Sequence, residues 1–321
     1  MLTIHCNGKA RPTTWQSGTP IPADAAWLDL CQPDEAETRA CQDAAGVPLP
    51  KREDIRGIGL AGRNRCLGDA LFLQVSSFAD AEDDKKRPTP LALVLTPRLL
   101  VSQRYAPSAT FDNAASQWHD TQRDDGPASA LAELIETMAE RTAQSMQKVA
   151  DEVAELSRKV FTGTRENTRV LRRWLVHVGH LEARLAATRG SLLGITRIVT
   201  FICENDPDWI PEAQGARVSM VRNDLKSLDE FDEQLTGKLQ FLLDSIFGFI
   251  SVNQNSVMKL FTVVAVAAFP PTVLAGIWGM NFKYMPALSQ PWGYAMALSA
   301  IALSILIPLG IFKWRGWLTR D

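Results

Sequence analysis

The chain has 321 residues, with 34 Lys and Arg against 36 Asp and Glu and a formal net charge of −2 at pH 7. This near-neutral balance, without a basic block that carries interleaved aromatic residues, argues against nucleic acid as a partner. The five cysteines show no Cys-x-x-Cys spacing, which gives little support to a thiolate metal site. They are expected to lie in reducing cytosol, where disulfides do not persist. The length allows a domain with its own core and further helical parts.

Residues 1–126 predict a cytosolic α/β domain. The apolar runs at 70–78, 91–95 and 99–102 contain β-branched or aromatic residues and are bounded by turn residues, so they predict strands. Helices are expected at 33–45 and 109–121, the first beginning at a proline and ending before a glycine.

From residue 127 onwards the apolar residues recur at helical spacing. Steps of three and four residues from Leu131 to Val160 predict a long amphipathic helix that ends near Gly163. The pattern repeats over 165–202, and the turn residues Asn205, Asp206 and Pro207 follow it.

A third helix is predicted from Pro211, and its apolar stripe continues into a segment that is apolar apart from Lys259. If it is unbroken to Gly279, a rise of about 1.5 Å per residue makes it a rod on the order of 100 Å long. One small subunit cannot bury such a stripe, so association with other copies is expected. Residues 127–257 therefore form a second region of long cytosolic helices, including a stalk.

Two apolar runs, at 258–279 and 292–312, end the chain. Each has about 20 residues, which matches a hydrocarbon core of about 30 Å. Residues 258–321 thus predict a two-helix transmembrane hairpin. The expected fold class is an α+β cytosolic domain followed by long helices and this hairpin.

The positions of the basic residues predict the orientation of the hairpin. Four basic residues lie at the ends of the hairpin that are remote from its connecting loop: Lys259, Lys313, Arg315 and Arg320. The connecting loop at 281–291 carries only Lys283. Basic residues favour the cytoplasmic side, so both termini are expected there. The first ten residues contain no apolar signal segment, and insertion is expected to use the hairpin itself.

One face of the first span is unusual for a passive anchor. Its residues follow each other at three- and four-residue steps: Asn255, Met258, Phe261, Thr262, Ala265, Phe269, Thr272 and Gly276. Several copies around an axis would form a pore with polar mouths and apolar constrictions, although a helix-packing surface explains the same spacing. The tandem prolines Pro270 and Pro271 remove two backbone donors, which lipid tolerates only where protein or water serves the freed carbonyls.

The residues at the outer end of this span carry a resemblance. Gly279-Met280-Asn281 follows Pro270-Pro271-Thr272 and Gly276-Ile277-Trp278. The second apolar run ends in Phe312-Lys313-Trp314-Arg315. In this position the motif resembles the CorA superfamily of divalent metal cation channels and transporters, which includes magnesium and cobalt carriers and ZntB-like zinc transporters. The resemblance implies a funnel-shaped homopentamer in a bacterial-type inner membrane. Such a protein is not an enzyme and uses no cofactor besides the divalent cation.

The resemblance also implies roles for individual residues. Asn281, with Gly279 and Met280, would form a ring that holds a hydrated cation, and the pore below it would be lined by Thr272, Phe269, Phe261, Met258 and Asn255. Cytosolic carboxylates between subunits would bind cations and favour closure. The candidates are Asp80, Glu82, Asp83, Asp84, Asp224 and Asp229, although the stretch at 80–87 is also typical of a solvated turn.

The outer loop departs from the family pattern. It contains Lys283 and no acidic residue, and five lysines at the mouth would repel divalent cations over a Debye length of about 8 Å. Zinc and magnesium therefore both stay open as the transported ion, with cobalt and nickel as further candidates. A non-conducting membrane scaffold or metal sensor of the same fold is the alternative function.

Four histidines make a link to zinc conceivable: His5, His119, His177 and His180. The last two are three residues apart on a helix and could share a ligand, although a solvated pair accounts for the same spacing. An enzyme tethered by the hairpin finds no support, because the sequence has no Gly-x-Ser-x-Gly, phosphate-loop or His-Glu-x-x-His motif.

Overall fold

The structure, a computed structural model, describes residues 1–7, 12–56, 64–78 (without the side chains of 76 and 77), 89–120, 126–162, 168–280 and 291–316. The chain divides into two compact units. Unit 1 comprises Met1–Thr164 and Arg173–Leu243, and unit 2 comprises Arg165–Arg172 and Asp244–Asp321.

Unit 1 contains a mixed sheet, which has seven strands in the described part of the chain. The strands are β1 (Leu2–Cys6), β2 (Thr13–Thr14), β3 (Ala25–Cys31), β4 (Arg65–Leu67), β5 (Ala70–Phe78), β6 (Thr89–Leu95) and β7 (Leu100–Arg104). Their spatial order is β2-β1-β3-β7-β6-β5-β4. Neighbouring strands pair antiparallel except β3 and β7, which run parallel with Asp29 opposite Ser102. The three predicted strands correspond to β5, β6 and β7, whereas the other four were not expected.

The described helices are α1 (Glu35–Ala45), α2 (Arg52–Arg56), α3 (Ala109–Asp120), α4 (Pro127–Thr162), α5 (Thr168–Asn205), α6 (Glu212–Trp278) and α7 (Gly293–Trp314). The six helices predicted from the sequence agree with α1 and with α3 to α7 to within a few residues at each end. The short helix α2 was not predicted, because five residues are too few to show a helical period.

Helix α1 shows how local chemistry fixes an element's ends. The N–H of Glu37 donates to the Asp34 carboxylate at 2.7 Å, and the N–H of Asp34 donates to the Glu37 carboxylate at 3.1 Å, which forms a capping box. The helix ends at Gly46, whose φ of 69° is the left-handed conformation that glycine adopts without strain. The helix therefore begins at Glu35, just after the predicted start at residue 33.

The sheet is covered on both faces. Leu28 and Leu30 of β3 belong to the same buried cluster as Cys41 of α1. Because side chains alternate along a strand, Trp27 and Asp29 point to the opposite face, where the Trp27 ring meets that of Trp118 on α3 at 6.5 Å. The central strand β3 is thus buried on both sides.

The long helices pack with their apolar stripes inwards in unit 1. On α6 this stripe includes Val218, Val221, Leu225, Leu235, Leu239 and Leu242, all buried. Ion pairs join the helices at their edges: Arg184 with Glu152, Arg217 with Glu133 and Glu136, and Arg189 with Asp232.

Gly194 brings α5 against the sheet. A Cβ atom built on this residue would collide with Cγ1 of Val75 on β5, so the approach of helix and strand requires glycine at this position. Gly179, on the same helix, has open space around it.

Unit 2 contains the C-terminal part of α6, together with α7 and the first turn of α5. The amide of Asn253 on α6 donates to the hydroxyl of Thr168 on α5 at 3.1 Å. Three described helices are long and apolar enough to cross a membrane: α5, α6 and α7. Half of the apolar window of α5 is buried inside the protein, against 6% for α6 and none for α7. The apolar window of α5 is thus much more buried than those of α6 and α7, the two helices that were predicted to span a membrane.

Candidate functional site

The C-terminal part of α6 exposes large apolar side chains in more than one direction. Met258, Phe261 and Phe269 are 62%, 67% and 71% exposed, and Leu260 and Val264, on other sides of the helix, are also exposed. Helix α7 does the same with Leu303, Leu306 and Ile307, among others. So large an apolar surface requires lipid or other protein to cover it.

The predicted stripe lies on the side of α6 that its own chain leaves uncovered. Asn255, Met258, Phe261, Thr262, Ala265, Phe269, Thr272 and Gly276 are all exposed and fall within one arc of the helix. Val263 is buried, and Ala267, Pro270, Pro271, Leu274 and Trp278 are partly buried. At about 100° per residue these six lie on the opposite side. Helix α6 therefore has one side that packs within the chain and another that is free to meet other copies.

The helix continues through Pro270 and Pro271. These prolines remove the N–H donors that would serve the carbonyls of Val266 and Ala267. The hydroxyl of Thr272 donates to the carbonyl of Ala268 at 2.8 Å, so the next carbonyl along gains a side-chain donor. In a membrane, the two freed carbonyls need water or a protein group.

The glycine of the Gly-Met-Asn motif ends the helix. The N–H of Gly279 donates to the carbonyl of Ala275 at 2.9 Å, and that of Met280 donates to Ile277 at 3.3 Å. A Cβ atom on Gly279 would lie 3.2 Å from the Ala275 carbonyl oxygen, which is a tight contact. Asn281 and Lys283 lie outside the described residues.

The two candidate carboxylates that the structure describes do not share a site within one chain. Asp224 and Asp229 are exposed on α6, and five residues place them about 140° apart, so they cannot share one ion. Asp80, Glu82, Asp83 and Asp84 lie outside the described residues. His177 and His180 are exposed on α5. Among the residues that the structure describes, no group of three or more His, Cys, Asp or Glu could hold a metal ion.

A buried polar cluster in unit 1 was not predicted. Arg104 donates to the Asp29 carboxylate at 2.8 Å, Ser102 donates to the same carboxylate at 2.7 Å, and the Trp27 indole donates to Ser102 at 2.9 Å. Burial opposes the charge on Arg104, but the carboxylate of Asp29 outweighs it and raises the pKa of Arg104. The cluster joins β3 to β7 and was missed because β3 was not predicted.

Two histidines meet at the edge of this cluster. Nδ1 of His5 on β1 lies 3.0 Å from Nε2 of His119 on α3, and the His5 ring stacks on Trp27 at 4.7 Å between centroids. Burial lowers the pKa of His5 to about 4. The sequence contained both residues, but no sequence pattern brings together positions that are 114 residues apart.

Comparison with known proteins relates this arrangement to characterised transporters. Residues 22–314 match the model of the family described as CorA-like Mg²⁺ transporter protein. The chain is 28% identical over 295 residues to the magnesium transport protein CorA of Pasteurella multocida, and 28% identical over 296 residues to that of Escherichia coli K12. Each alignment covers 92% of both chains.

The fold is also similar to solved structures. The complete CorA magnesium transporter from Methanocaldococcus jannaschii aligns with a TM-score of 0.80 at 17% identity, over 99% of both chains. The ZntB cytoplasmic domain from Vibrio parahaemolyticus aligns with a TM-score of 0.59 at 12% identity, over 76% of this chain and 95% of that one. The family match, which covers most of the chain, shows that this protein belongs to the CorA-like Mg²⁺ transporter family.

Proposed function

We propose that the chain forms a homopentameric, funnel-shaped channel that moves a divalent cation across an inner membrane through a pore lined by α6. The observation that carries this proposal is the two-sidedness of α6, which packs within the chain on the Val263 side and leaves the predicted stripe uncovered. A single pair of helices encloses no path for an ion. Copies arranged around an axis can turn the stripe inwards.

In this proposal the chain has three regions: a cytosolic α/β domain at 1–126, long cytosolic helices with the stalk at 127–257, and a two-span transmembrane domain at 258–321. Both termini face the cytoplasm. Asn255 lies at the inner mouth, Met258, Phe261 and Phe269 form constrictions, and Thr272 lies nearer the outer mouth. Lipid covers the outer surface of α7.

The donor atoms along the proposed pore favour a hard cation. Neither 258–279 nor 292–312 contains an acidic residue, a histidine or a cysteine, so an ion meets amide, hydroxyl and backbone oxygens. Five Asn281 amides above Gly279 and Met280 suit a cation that keeps its water, as Mg²⁺ does. The names of the relatives also favour magnesium, and zinc, cobalt and nickel follow as candidates.

In this proposal, gating depends on carboxylates from more than one subunit. Asp224 and Asp229 are too far apart around α6 to act together in one chain, so each would bind a cation with carboxylates of a neighbouring copy. Asp80, Glu82, Asp83 and Asp84 are the candidate partners. Cations held between subunits would screen these charges and favour closure.

The experiment compares ion flux into proteoliposomes for the wild type and Asn281→Ala, at equal protein per liposome, with Mg²⁺, Zn²⁺, Co²⁺ and Ni²⁺. The variant should lose most of its flux and keep its oligomeric state in native mass spectrometry. Asn223→Ala, an exposed amide on α6 in unit 1, is the matched control and should conduct normally.

Three outcomes would contradict the proposal. Wild-type flux in Asn281→Ala would show that the motif does not select the ion. A monomer or dimer as the only species would remove the pore. An absence of flux for all four ions would favour the non-conducting scaffold or sensor, for which the positive Lys283 is the sequence argument.

A further inference from the structure

We propose that His5 and His119 form a binding site in unit 1 for a borderline divalent metal ion of the Zn²⁺, Co²⁺ or Ni²⁺ class. The proposal rests on the placement of the two imidazoles and does not depend on transport. His5 belongs to β1 and His119 to the last turn of α3, so a shared ion would fasten this helix to the sheet.

The distance between the two nitrogens is close to that of a ligand pair. Nδ1 of His5 and Nε2 of His119 are 3.0 Å apart. Two imidazole nitrogens that each lie about 2.0–2.1 Å from a tetrahedral zinc ion are separated by about 3.3 Å. An ion can therefore replace the hydrogen bond if the two nitrogens separate by a few tenths of an ångström and the partly buried His119 ring shifts and turns so that both lone pairs point at the ion.

The orientation of His5 is fixed before any ion binds. Its ring is buried and stacks on Trp27 with an interplanar angle of 25°. Trp27 is itself held by the hydrogen bond from its indole to Ser102. Metal ligands that are oriented by surrounding groups bind more tightly, because less order is lost on binding.

The surroundings of His5 act on a cation in both directions. The carboxylate of Asp29 attracts positive charge, whereas burial and Arg104 oppose it. The charged and titratable groups that act on the ring are Asp29, His119 and Arg104, and the carboxylate of Asp29 has the largest effect of the three. Arg104 is in turn paired with Asp29 and Asp112.

The chemistry of the pair determines which ions it takes. Two imidazoles bind borderline metals, whereas Mg²⁺ prefers oxygen ligands and gives up its water reluctantly. The described residues offer no third protein ligand, and in the proposed site water would complete the coordination; His119 is partly exposed, so water can reach it. The site would thus distinguish these metals from Mg²⁺.

The test uses the full chain, purified in detergent and stripped of metal with a chelator. Equilibrium dialysis against Co²⁺ or Zn²⁺ in the presence of saturating Mg²⁺ counts the bound ions per chain, because Mg²⁺ fills sites built from oxygen ligands. The variants are His119→Gln and His5→Gln. His180→Gln, an exposed histidine on α5, is the matched control.

Both variants should lose one bound ion per chain or weaken its binding at least about tenfold, and the control should bind as the wild type does. His119 is only partly buried, so His119→Gln decides the question if His5→Gln fails to fold; near-ultraviolet circular dichroism reports folding. Equal binding by the wild type and His119→Gln, or displacement of the ion by Mg²⁺, would overturn the proposal and leave an ordinary hydrogen bond.

Discussion

The two units of this protein differ in where their apolar side chains lie. Unit 1 places its apolar side chains inside and also buries charge, with Asp29 and Arg104 paired between β3 and β7. Unit 2 turns its apolar side chains outwards, as Phe269 on α6 and Leu306 on α7 do. Helix α6 takes part in both units and changes its pattern on the way, from one buried stripe to apolar residues on several sides. An apolar stripe on one side of a helix thus indicates packing inside a water-soluble unit, whereas apolar residues on several sides indicate contact with lipid or with other chains.

The first prediction tests how far unit 1 depends on buried charge. Replacing Arg104 with Ala leaves the Asp29 carboxylate buried without its partner, which should lower the free energy of unfolding by about 3–5 kcal/mol. Arg39→Ala breaks the exposed pair with Glu35 and should cost less than about 1 kcal/mol. Chemical unfolding in detergent, followed by near-ultraviolet circular dichroism, measures both. Equal losses would mean that the buried pair is not special.

The second prediction tests the outward-facing apolar surface of unit 2. Leu303, on α7, and Leu193, on α5 in unit 1, are similarly exposed at 54% and 46%. If α7 lies in lipid, Leu303→Asp places a charge near the centre of the span and disfavours insertion by about 2.5–3.5 kcal/mol. Leu193→Asp faces water and should change stability by no more than about 0.5 kcal/mol.

The amount of each variant that stays in carbonate-washed membranes measures this difference. A loss for Leu303→Asp, with Leu193→Asp unchanged, is the expected result. If both variants remained in the membrane at the wild-type level, the assignment of α7 to lipid would be wrong.

The third prediction concerns packing within unit 1. Gly194→Ala forces a methyl group into Val75 and should destabilise the protein by about 1–3 kcal/mol. Gly179→Ala, on the same helix with open space, should be neutral or stabilise by up to about 1 kcal/mol. Adding Val75→Ala to Gly194→Ala should recover part of the loss. Thermal unfolding checks the set, and no difference between the two glycines would contradict the close approach.

The helices were predictable because their signal is long and periodic. The expected helix from residue 127 to near Gly163 corresponds to α4, Pro127–Thr162, and the third expected helix corresponds to α6, Glu212–Trp278. Each repeats its apolar spacing over many turns, so a local irregularity does not obscure it. The turn residues at 205–207 also marked the end of α5 correctly.

Three of the missed strands show no strand period in the sequence. β3 is buried on both faces, so it has no polar and apolar alternation, and its Asp29 is satisfied by a strand that is distant in sequence. β2 and β4, with two and three residues, are too short to show a period. The His5–His119 pair could not be predicted either, because its geometry exists only once β1 and α3 are packed.

The candidate pore residues show a different limit. Helical spacing alone places the eight residues of the stripe, the first of which is Asn255 and the last Gly276, on one face of a helix. Which neighbours that face meets depends on other copies of the chain. The role of Asn281 in the proposed pore therefore stays a prediction until the flux experiment is done.

The parallel pairing of β3 with β7 sets the order in which unit 1 can fold during synthesis. Asp29 and Ser102 are 73 residues apart in the chain, so β3 leaves the ribosome long before its partner strand exists. Until then β3 can pair only with β1, and the edge of β3 that later meets β7 stays open. Closing so long a connection is slow compared with forming a helix, so the nascent domain passes through a stage with an unpaired edge strand. A ribosome that pauses before residue 104 prolongs this stage and the exposure of that edge to other chains.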